Sequence, residues 1–314
     1  MDIEYLLVLQ DFRNRTENVL TPFLESLSLF AITYLILFPI LIYWLMDKKS
    51  GLYTLCSFAV CNAINAVVKL TVCAYRPWIR DERILPAGDA ITTATGYSFP
   101  SGHTVTAGPL YGGMAAVLRK KSKWISVVCI ILFLLTAFSR NYLGVHTPQD
   151  VIVGTLESVL WLFLIARIFR YLEIHPEKEN LFLLISFILG WLFIAFITFK
   201  PYPMTYVEGK LLVDPKKMMI DGYGDICFLI IFPLARFVER KWIGFKAPGF
   251  TGKGIAVCLL GLIPLVLSIR FLEAPLRAAF GDLWGQFSYT FITVFYYIAL
   301  YPAVIKAVCG GDEK

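Results

Sequence analysis

Apolar runs long enough to cross a membrane recur along this 314-residue chain, and no other feature constrains its fold as strongly. Hydrophobic residues form 58% of the sequence and charged residues only 17%, which leaves too little polar surface for a water-soluble globule. A helix of roughly 17–25 apolar residues crosses a hydrocarbon core about 30 Å thick. The sequence therefore predicts an all-α, polytopic membrane helical bundle with about nine spans. They are Leu27–Met46, Leu52–Val72, Thr104–Leu118, Trp124–Phe138, Val151–Phe169, Leu181–Phe199, Ile226–Phe237, Ile255–Ile269 and Phe287–Ile305.

The predicted spans differ in strength. The third, fourth, seventh and eighth are short, and the seventh is the weakest because Pro233 interrupts it and Arg236 follows it. No internal repeat or linker divides the chain, so we expect one integral membrane domain over residues 1–314. Its parts would be an interfacial segment at 1–26, a core with the polar motifs at 52–170, and additional helices at 181–314 with two covering loops, roughly Lys200–Asp225 and Arg270–Gln286.

Basic residues gather in alternate loops, which indicates how the chain is oriented. Lysine and arginine accumulate on the cytoplasmic side of membrane proteins. The excess here is moderate, and it places the N-terminus outside, together with the histidine motifs described below. This bias accounts for the formal net charge of +6, and no basic face interleaved with aromatic residues indicates a nucleic-acid partner. The basic segments are Lys48–Lys49, Arg119–Lys123, Arg167–Lys178, Arg236–Lys253 and the C-terminal tail.

Seven cysteines are present without a Cys-x-x-Cys pair, and most of them lie within apolar runs. Cysteines in such positions are ordinarily small buried hydrophobic side chains. We therefore expect neither a disulfide nor a zinc site.

Two cationic residues lie at the end of the second apolar segment. Lys69 and Arg76 are seven residues apart, close to two helical turns, so both lie on one face of a helix that Pro77 then ends. Such a pair can form a socket for a dianion, since the arginine fork suits phosphate oxygens. Alternatively, each side chain can extend toward lipid headgroups, as basic residues near helix ends commonly do. Taken alone, Lys69 and Arg76 favour extension toward lipid headgroups over a dianion site.

A second polar motif, Pro100-Ser101-Gly102-His103, is typical of a helix start. Ser101 would be the N-cap, and Gly102 would allow close approach to the backbone. The first amides of a helix have no internal partner and can bind an anion, here beside His103. The simpler interpretation is an ordinary helix cap with an interfacial histidine.

The third motif contains another helix start, with Thr147 as N-cap and Pro148 at the first helical position. His146 therefore lies just outside a helix N-terminus, whose positive end favours a neutral imidazole suited to attack on phosphorus. Asp150, four residues later, can orient the ring or simply complete a capping box with Thr147, and both roles can hold together. Arg140 adds a third cation six residues before His146.

Together, the three motifs resemble the signature of the type 2 phosphatidic acid phosphatase (PAP2) superfamily, in its integral membrane lipid phosphatase branch. The matching parts, without gap or substitution, are Lys69-x6-Arg76-Pro77, Pro100-Ser101-Gly102-His103 and Ser139-Arg140-x5-His146-x3-Asp150. The resemblance covers residues 69–150. It implies the family's six-helix core, so about three of the predicted spans would be additional helices. The number of spans, with the N-terminus outside, is also similar to the glucose-6-phosphatase branch, but this likeness is topological only and assigns no sugar substrate.

The resemblance implies metal-independent hydrolysis of a phosphate monoester or diphosphate through a phosphohistidine, with no cofactor and no metal. By position, His146 would be the nucleophile, Asp150 the residue that orients it and His103 the acid that protonates the leaving oxygen. The partners would be a lipid phosphate or isoprenyl diphosphate substrate and the membrane lipids. The location would be a bacterial plasma membrane, with the active site on the extracytoplasmic side. The phosphoryl oxygens would be held by Lys69, Arg76, Ser101, Gly102 and Arg140.

Two other functions are compatible with these motifs. A lipid headgroup phosphotransferase would pass the phosphoryl group from the same histidine to an alcohol instead of water. A phospholipid transporter would bind the phosphate without cleaving it, but the paired histidines favour an enzyme, and the inverted repeats of many transporters are not evident. Soluble vanadium haloperoxidases share the pocket pattern, and the apolar segments argue against that branch. The sequence indicates neither the particular lipid nor the oligomeric state.

Overall fold

The computed structural model describes residues 1–207 and 209–310, and nearly all of its regular structure is helical. The last residues of the predicted C-terminal tail, 311–314, lie outside the described part. The α-helices are α1 (Asp2–Arg15), α2 (Thr21–Thr33), α3 (Leu37–Leu41), α4 (Lys48–Val72), α5 (Pro77–Arg80), α6 (Gly102–Leu118), α7 (Lys123–Tyr142), α8 (Pro148–Ile174), α9 (Glu179–Phe199), α10 (Pro215–Val238), α11 (Gly252–Phe271), α12 (Glu273–Phe280), α13 (Asp282–Phe295) and α14 (Tyr301–Cys309). Short 3-10 helices are Ala90–Thr93 and Pro176–Lys178, and π-helical turns are Ile42–Met46, Glu239–Ile243 and Tyr296–Leu300.

Within the described residues, 7 helical stretches are long and apolar enough to cross a membrane. The total is 8 if the bent pair Thr21–Thr33 and Leu37–Met46 forms one span. The predicted all-α, multi-pass membrane bundle is thereby confirmed. The seven stretches are Lys48–Arg80, Lys123–Tyr142, Pro148–Ile174, Pro176–Phe199, Pro215–Ile243, Gly252–Phe271 and Asp282–Cys309.

Besides the first predicted span, which lies in the bent pair, two predicted spans differ from expectation. The third, Thr104–Leu118, lies in α6, which has 17 residues and is not among the seven long stretches. Most residues of α6 are buried by protein, and tertiary packing of this kind stabilises a helix of this length. The seventh, predicted to be the weakest, is part of the 24-residue helix α10, which continues through Pro233. The residues around this proline are buried, and such packing can stabilise a helix that lacks one backbone hydrogen bond.

The chain divides into two compact units, of which unit 1 comprises Met1–Leu35, Ile64–Leu162 and Ile197–Gly222. In unit 1 the hairpin of α6 and α7 packs against α1 and α2. Arg13 of α1 is buried, and its guanidinium donates to the carbonyl of Tyr142 at 2.9 Å and to that of Leu85 at 2.6 Å. The segment 1–26, predicted to be interfacial, therefore places at least one cationic side chain inside this unit.

Unit 2 comprises Ile36–Ala63, Phe163–Phe196 and the described chain from Tyr223 onward. Tyr43 and Trp44 are fully buried in it. The Tyr43 hydroxyl donates to the Ile298 carbonyl at 2.9 Å, and the Trp44 indole donates to the Tyr297 carbonyl at 2.7 Å. These bonds satisfy the polar ends of the two buried aromatic side chains and join the π-helical turns at both ends of the unit's sequence.

The first predicted covering loop contains a short antiparallel hairpin, β1 (Tyr206–Val207) with β2 (Lys210–Leu211). The Tyr75 hydroxyl donates to Thr205 Oγ1 at 2.8 Å, and the Thr95 hydroxyl donates to the Asp221 carboxylate at 3.2 Å. The loop thus lies beside residues that flank the predicted site in unit 1. The second predicted loop belongs to unit 2, where much of it forms α12.

Candidate active site

All of the site residues predicted from the motifs lie in unit 1. They are Lys69 near the end of α4, Arg76 just before α5, Ser101, Gly102 and His103 at the start of α6, Arg140 near the end of α7, His146 in the following turn and Asp150 in the first turn of α8. Several are buried despite being ionisable; Arg140 and His146 are each 1% exposed. Burying such groups is costly unless other groups compensate, so their surroundings define what the site can do.

The His146 ring is held between a carboxylate and a guanidinium. Its Nδ1 lies 3.2 Å from Asp150 Oδ2, and its Nε2 lies 2.7 Å from Arg76 Nη1. Because the carboxylate accepts and the guanidinium donates, we assign the ring proton to Nδ1 and the lone pair to Nε2. Burial and then the Arg76 charge hold the pKa of His146 well below its ordinary value, although Asp150 opposes them. The site therefore favours a neutral imidazole with a basic Nε2.

Asp150 is fixed by several donors. Its Oδ2 accepts from the Ser98 hydroxyl at 2.5 Å and from the Thr147 amide at 2.9 Å, in addition to facing His146. The Asp150 amide donates in return to the Thr147 hydroxyl at 3.4 Å, which completes a capping box. The orienting and capping contacts of Asp150 are thus present together. A carboxylate held in this way cannot turn away from the imidazole without losing the cap of α8.

The Arg76 guanidinium donates to backbone carbonyls of two loops as well as facing the imidazole. Its Nε donates to the Gly96 carbonyl at 3.2 Å, and its Nη2 donates to the Thr95 carbonyl at 2.9 Å. Its Nη1 donates to the Val145 carbonyl at 3.0 Å and also faces His146. These backbone contacts fix the guanidinium in the position where its charge acts on the ring.

The start of α6 forms a second part of the site. Ser101 Oγ accepts from the Thr104 hydroxyl at 2.9 Å and from its amide at 3.4 Å, while the Ser101 amide donates to the Asp150 carbonyl at 3.0 Å. Ser101 therefore caps α6 and links it to α8, and its own hydroxyl proton stays available to an acceptor. A Cβ built on Gly102 would meet no atom of the described chain within 4 Å. Open space thus adjoins the amides of this helix N-terminus, as an anion site requires.

His103 is buried among the cationic groups of the motifs. Burial, followed by the charge of Arg140, holds the pKa of His103 well below its ordinary value. The charges of Arg76 and Lys69 act in the same direction. In the described part of the chain, His103 Nε2 has no hydrogen-bond partner. The ring is therefore neutral beside an excess of positive charge, and a bound anion would reverse that balance.

Arg140 and Lys69 complete the cationic surroundings. Arg140 Nη1 donates to Ser28 Oγ of α2 at 3.0 Å, whereas its buried Nε and Nη2 meet no acceptor among the described residues. Buried donors are nearly always paired, so these two N–H groups are suited to an oxyanion. The Lys69 ammonium donates to the Pro100 carbonyl and lies 3.5 Å from the Tyr97 carbonyl, which places it beside the loop that leads into α6.

Three supporting residues were not predicted from the sequence. Ser98 holds Asp150, Asn141 donates from Nδ2 to the His146 carbonyl at 2.9 Å, and Ser28 binds Arg140. Asn141 lies inside the third motif and Ser98 lies two residues before the second, and a polar residue among buried neighbours is a usable signal at both places. Ser28 lies in an apolar segment 112 positions away from its partner, and no periodicity connects the two.

The fold and the site define a multi-pass membrane protein with a buried histidine–carboxylate pair surrounded by three cationic side chains. Residues 50–174 match the PAP2 superfamily model. The matched region contains all three motifs, so the resemblance inferred from them is confirmed.

Curated relatives match parts of the chain. An undecaprenyl-diphosphatase of Sulfolobus acidocaldarius is 32% identical over 109 residues, which are 35% of this chain and 50% of the relative. A phosphatidylglycerophosphatase B of Bacillus subtilis is 31% identical over 122 residues, 37% of this chain and 56% of the relative. The lipid phosphate phosphatase delta of Arabidopsis thaliana is 25% identical over 186 residues, 55% of this chain and 45% of the relative. The chain spans about half the length of these relatives. No solved structure matches it.

Proposed function

We propose that the chain is a membrane phosphatase that hydrolyses a lipid phosphate monoester or diphosphate through a phosphohistidine, without a metal ion. The position of the His146 ring carries this conclusion, because Asp150 holds Nδ1 and leaves the Nε2 lone pair facing a cationic group. The relatives named as a diphosphatase and a phosphatidylglycerophosphatase support the substrate class. Three side-chain cations supply the positive charge that a phosphoryl dianion needs.

In the first step, His146 Nε2 attacks phosphorus, so that an N–P bond forms and the P–O bond to the lipid breaks. The neutral ring has the lone pair that this attack requires. Arg76 Nη1 exchanges its contact with Nε2 for one with a phosphoryl oxygen. Asp150 then stabilises the positive charge that develops on the phosphorylated ring, as the carboxylate of a catalytic triad does. His103 gives a proton to the leaving oxygen.

In the second step, water attacks the phosphohistidine. His103, now neutral, takes a proton from the water as a new P–O bond forms and the N–P bond breaks. Inorganic phosphate leaves, and His146 returns to its neutral state with the proton on Nδ1. The same residue serves as acid and then as base because the second step is the chemical reverse of the first with water in place of the lipid alcohol.

The phosphoryl oxygens would lie against donors that the protein itself leaves available. Arg140 contributes Nε and Nη2, the amides at Gly102 border open space, and the Ser101 hydroxyl has its proton to donate. Lys69 adds a charge from the end of α4. Such an arrangement stabilises the charge that spreads over the equatorial oxygens in the transition state.

We further propose that the site faces the extracytoplasmic side of a bacterial plasma membrane. The distribution of basic loops supports this orientation, since it leaves the histidine motifs on the side opposite to the Arg119–Lys123 loop. Substrate would then reach the site from the outer leaflet.

The test is acid-quench trapping with a radiolabelled lipid phosphate, run on purified wild-type protein and on His146→Ala. Wild type should form an acid-labile phosphoprotein and release phosphate in the presence of a chelator, and orthovanadate should inhibit both. The His146→Ala variant should neither form the phosphoprotein nor release phosphate. Acid-labile phosphate trapped on the His146→Ala protein, or activity restored to a chelated enzyme only by magnesium, would contradict the proposal.

The same experiment distinguishes a hydrolase from the two alternatives, a headgroup phosphotransferase and a phospholipid transporter. A hydrolase releases inorganic phosphate without an added alcohol, whereas a phosphotransferase releases the phosphoryl group only when an alcohol acceptor is supplied. A transporter forms no phosphoprotein and leaves the lipid phosphate intact. A panel of lipid phosphates with different backbones, assayed in parallel, identifies the preferred leaving group.

A further inference from the structure

A cavity of about 410 Å³ lies in unit 2, lined by residues at the ends of α4, α8, α9 and α10. Part of its lining is apolar and includes Leu52, Phe169, Leu183 and Phe232. The rest is ionic. Cavities of this size, mainly apolar with a few converging polar groups, are typical of sites for small ligands or parts of lipids.

The more deeply buried charges of the cavity are paired with one another or with Glu239, which is not a lining residue. Arg236 Nε contacts Glu179 at 2.8 Å, and its Nη1 contacts Glu239 at 2.5 Å. Lys48 Nζ also contacts Glu239, whose side chain is fully buried, at 2.5 Å. Removing one member of such a network leaves an uncompensated buried charge, so these four residues are not free to exchange partners with a ligand.

A further ion pair at the cavity, between Lys49 and Glu173, is exposed to solvent. Lys49 Nζ lies 2.7 Å from Glu173 Oε1, and the side chains are 57% and 43% exposed. Exposed pairs contribute little stability and exchange partners readily. Lys49 lies in the first turn of α4 and Glu173 in the last turn of α8, so each is at the helix end whose dipole disfavours its charge. Asp47 already caps the α4 amides, so an added anion would contact the Lys49 ammonium.

We propose that this cavity binds a phospholipid whose headgroup carries both a phosphate and an ammonium, as ethanolamine phospholipids do. The phosphate would contact Lys49 and the ammonium would contact Glu173, so the headgroup inserts into the exposed ion pair. An acyl chain would lie along the apolar lining. No lining residue of the cavity belongs to the three motifs, and the proposal does not depend on the proposed function.

Two observations favour this occupant. First, all four lining helices belong to candidate membrane spans, and the lining residues are near the ends of those spans, where membrane lipids are the available amphiphiles. Second, the charges of the lining balance, which matches a headgroup without net charge better than an anionic one. The acids are Asp47, Glu173 and Glu179, and the bases are Lys48, Lys49 and Arg236.

The test compares two photoactivatable phospholipids that have the same diazirine acyl chain and carry either an ethanolamine or a glycerol headgroup. Each is added to the purified full-length chain in detergent, and cross-linked peptides are mapped. The ethanolamine lipid should label the peptides around residues 47–52 and 169–183 several-fold more strongly. Soluble phosphoethanolamine at the same concentration should compete poorly, because it lacks the acyl chain. Equal labelling by both lipids, or full displacement by soluble phosphoethanolamine, would overturn the proposal.

Paired variants locate the headgroup contact. Lys49→Gln with Glu173→Gln removes the outer pair without altering net charge, and should reduce labelling by the ethanolamine lipid about tenfold, the effect of losing two exposed charge contacts. Leu172→Trp adds bulk to the cavity and should reduce labelling by both lipids. The matched control, Asp11→Asn with Arg15→Gln, removes an exposed pair on α1 and should have no effect. Labelling unchanged in both cavity variants would show that the lipid binds elsewhere.

Discussion

His103 and His146 share their surroundings but need opposite protonation states in the proposed reaction. Burial and nearby cations lower the pKa of both rings. This suits His146, whose Nε2 must be unprotonated to attack, but it opposes His103, which must donate a proton. A phosphoryl dianion bound beside Arg140 and Arg76 would offset their charges and raise the pKa of His103. The acid is therefore expected to gain its proton when substrate binds.

Proton uptake on anion binding follows from this account. Tungstate, a phosphate mimic that is already a dianion at neutral pH, should bind at neutral pH with uptake of up to about one proton, because free His103 is neutral there. Because bound tungstate raises the pKa of His103, the affinity of the protein for tungstate should increase as the pH falls. Calorimetry in two buffers of different ionisation enthalpy measures the uptake. The His103→Gln variant should bind tungstate without proton uptake. Equal proton uptake by wild type and the variant would assign the proton to another group.

His103→Ala should affect substrates according to their leaving groups. For an alkyl lipid phosphate, we expect the rate to fall by roughly 10²–10⁴-fold, as is typical when a general acid is lost. A nitrophenyl phosphate, if accepted, needs little protonation of its leaving oxygen, so its rate should fall less. His146→Ala is the reference that should lose both activities. Steady-state rates on the two substrates provide the measurement, and an equal loss on both would argue against an acid role for His103.

At the level of elements, the helix starts could be predicted because capping is local. Ser101 and Thr147 lie directly before the helices that they cap, and their hydrogen bonds reach only three residues along the chain. The contributions of α1 and α2 could not be predicted. Arg13 and Ser28 reach carbonyl and guanidinium groups more than 100 positions away, and such contacts depend on tertiary packing that leaves no local pattern.

The length of α10 likewise could not be predicted from the local sequence. Pro233 suggested a break because proline lacks an amide and crowds the preceding turn. In the structure, Ile230, Ile231 and Ala235 are fully buried around it, and this packing holds the helix together. Local propensity was outweighed by burial, which the sequence pattern around one residue does not show.

Helix α2 should influence phosphate binding through Ser28. Replacing Ser28 with Ala removes the hydroxyl that accepts from Arg140 Nη1 and leaves the guanidinium less firmly placed. A hydrogen bond to a charged group contributes about 1.5 kcal/mol or more, so KM should rise about tenfold while kcat changes little. Steady-state kinetics with a lipid phosphate measure both constants. Ser126→Ala is a matched control, because this buried serine of α7 donates to the Ala115 carbonyl instead.

A double-mutant cycle distinguishes positioning from a general loss of stability. If Ser28 acts through Arg140, Ser28→Ala should have no further effect on KM once Arg140 is replaced with Ala. A merely structural role would give additive losses, together with a lower melting temperature in both backgrounds. Additive effects on KM would therefore contradict the positioning role of Ser28.

At the scale of the whole molecule, the orientation of the site depends on whether α6 crosses the membrane. Its 17 residues extend about 26 Å, close to the thickness of a hydrocarbon core. Because much of α6 is buried, neighbouring helices can shield its ends from lipid, and a shorter length suffices. The loop before α6 and the loop between α6 and α7 would then lie on opposite sides, with the basic one in the cytoplasm.

Cysteine labelling in intact cells tests this orientation. Asp89 and Lys121 are exposed and lie in the two loops, so each is replaced with Cys in a background where the two partly exposed native cysteines, Cys73 and Cys309, are Ser. A membrane-impermeant maleimide should label Asp89→Cys in intact cells and Lys121→Cys only after permeabilisation. The parent without either new cysteine controls for the five buried thiols. Labelling of both positions in intact cells would mean that α6 does not cross, and labelling of Lys121→Cys alone would place His103 and His146 in the cytoplasm. In the second case substrate could not reach the site from the outer leaflet as proposed, whereas the contacts among His146, Asp150 and Arg76 would be unaffected.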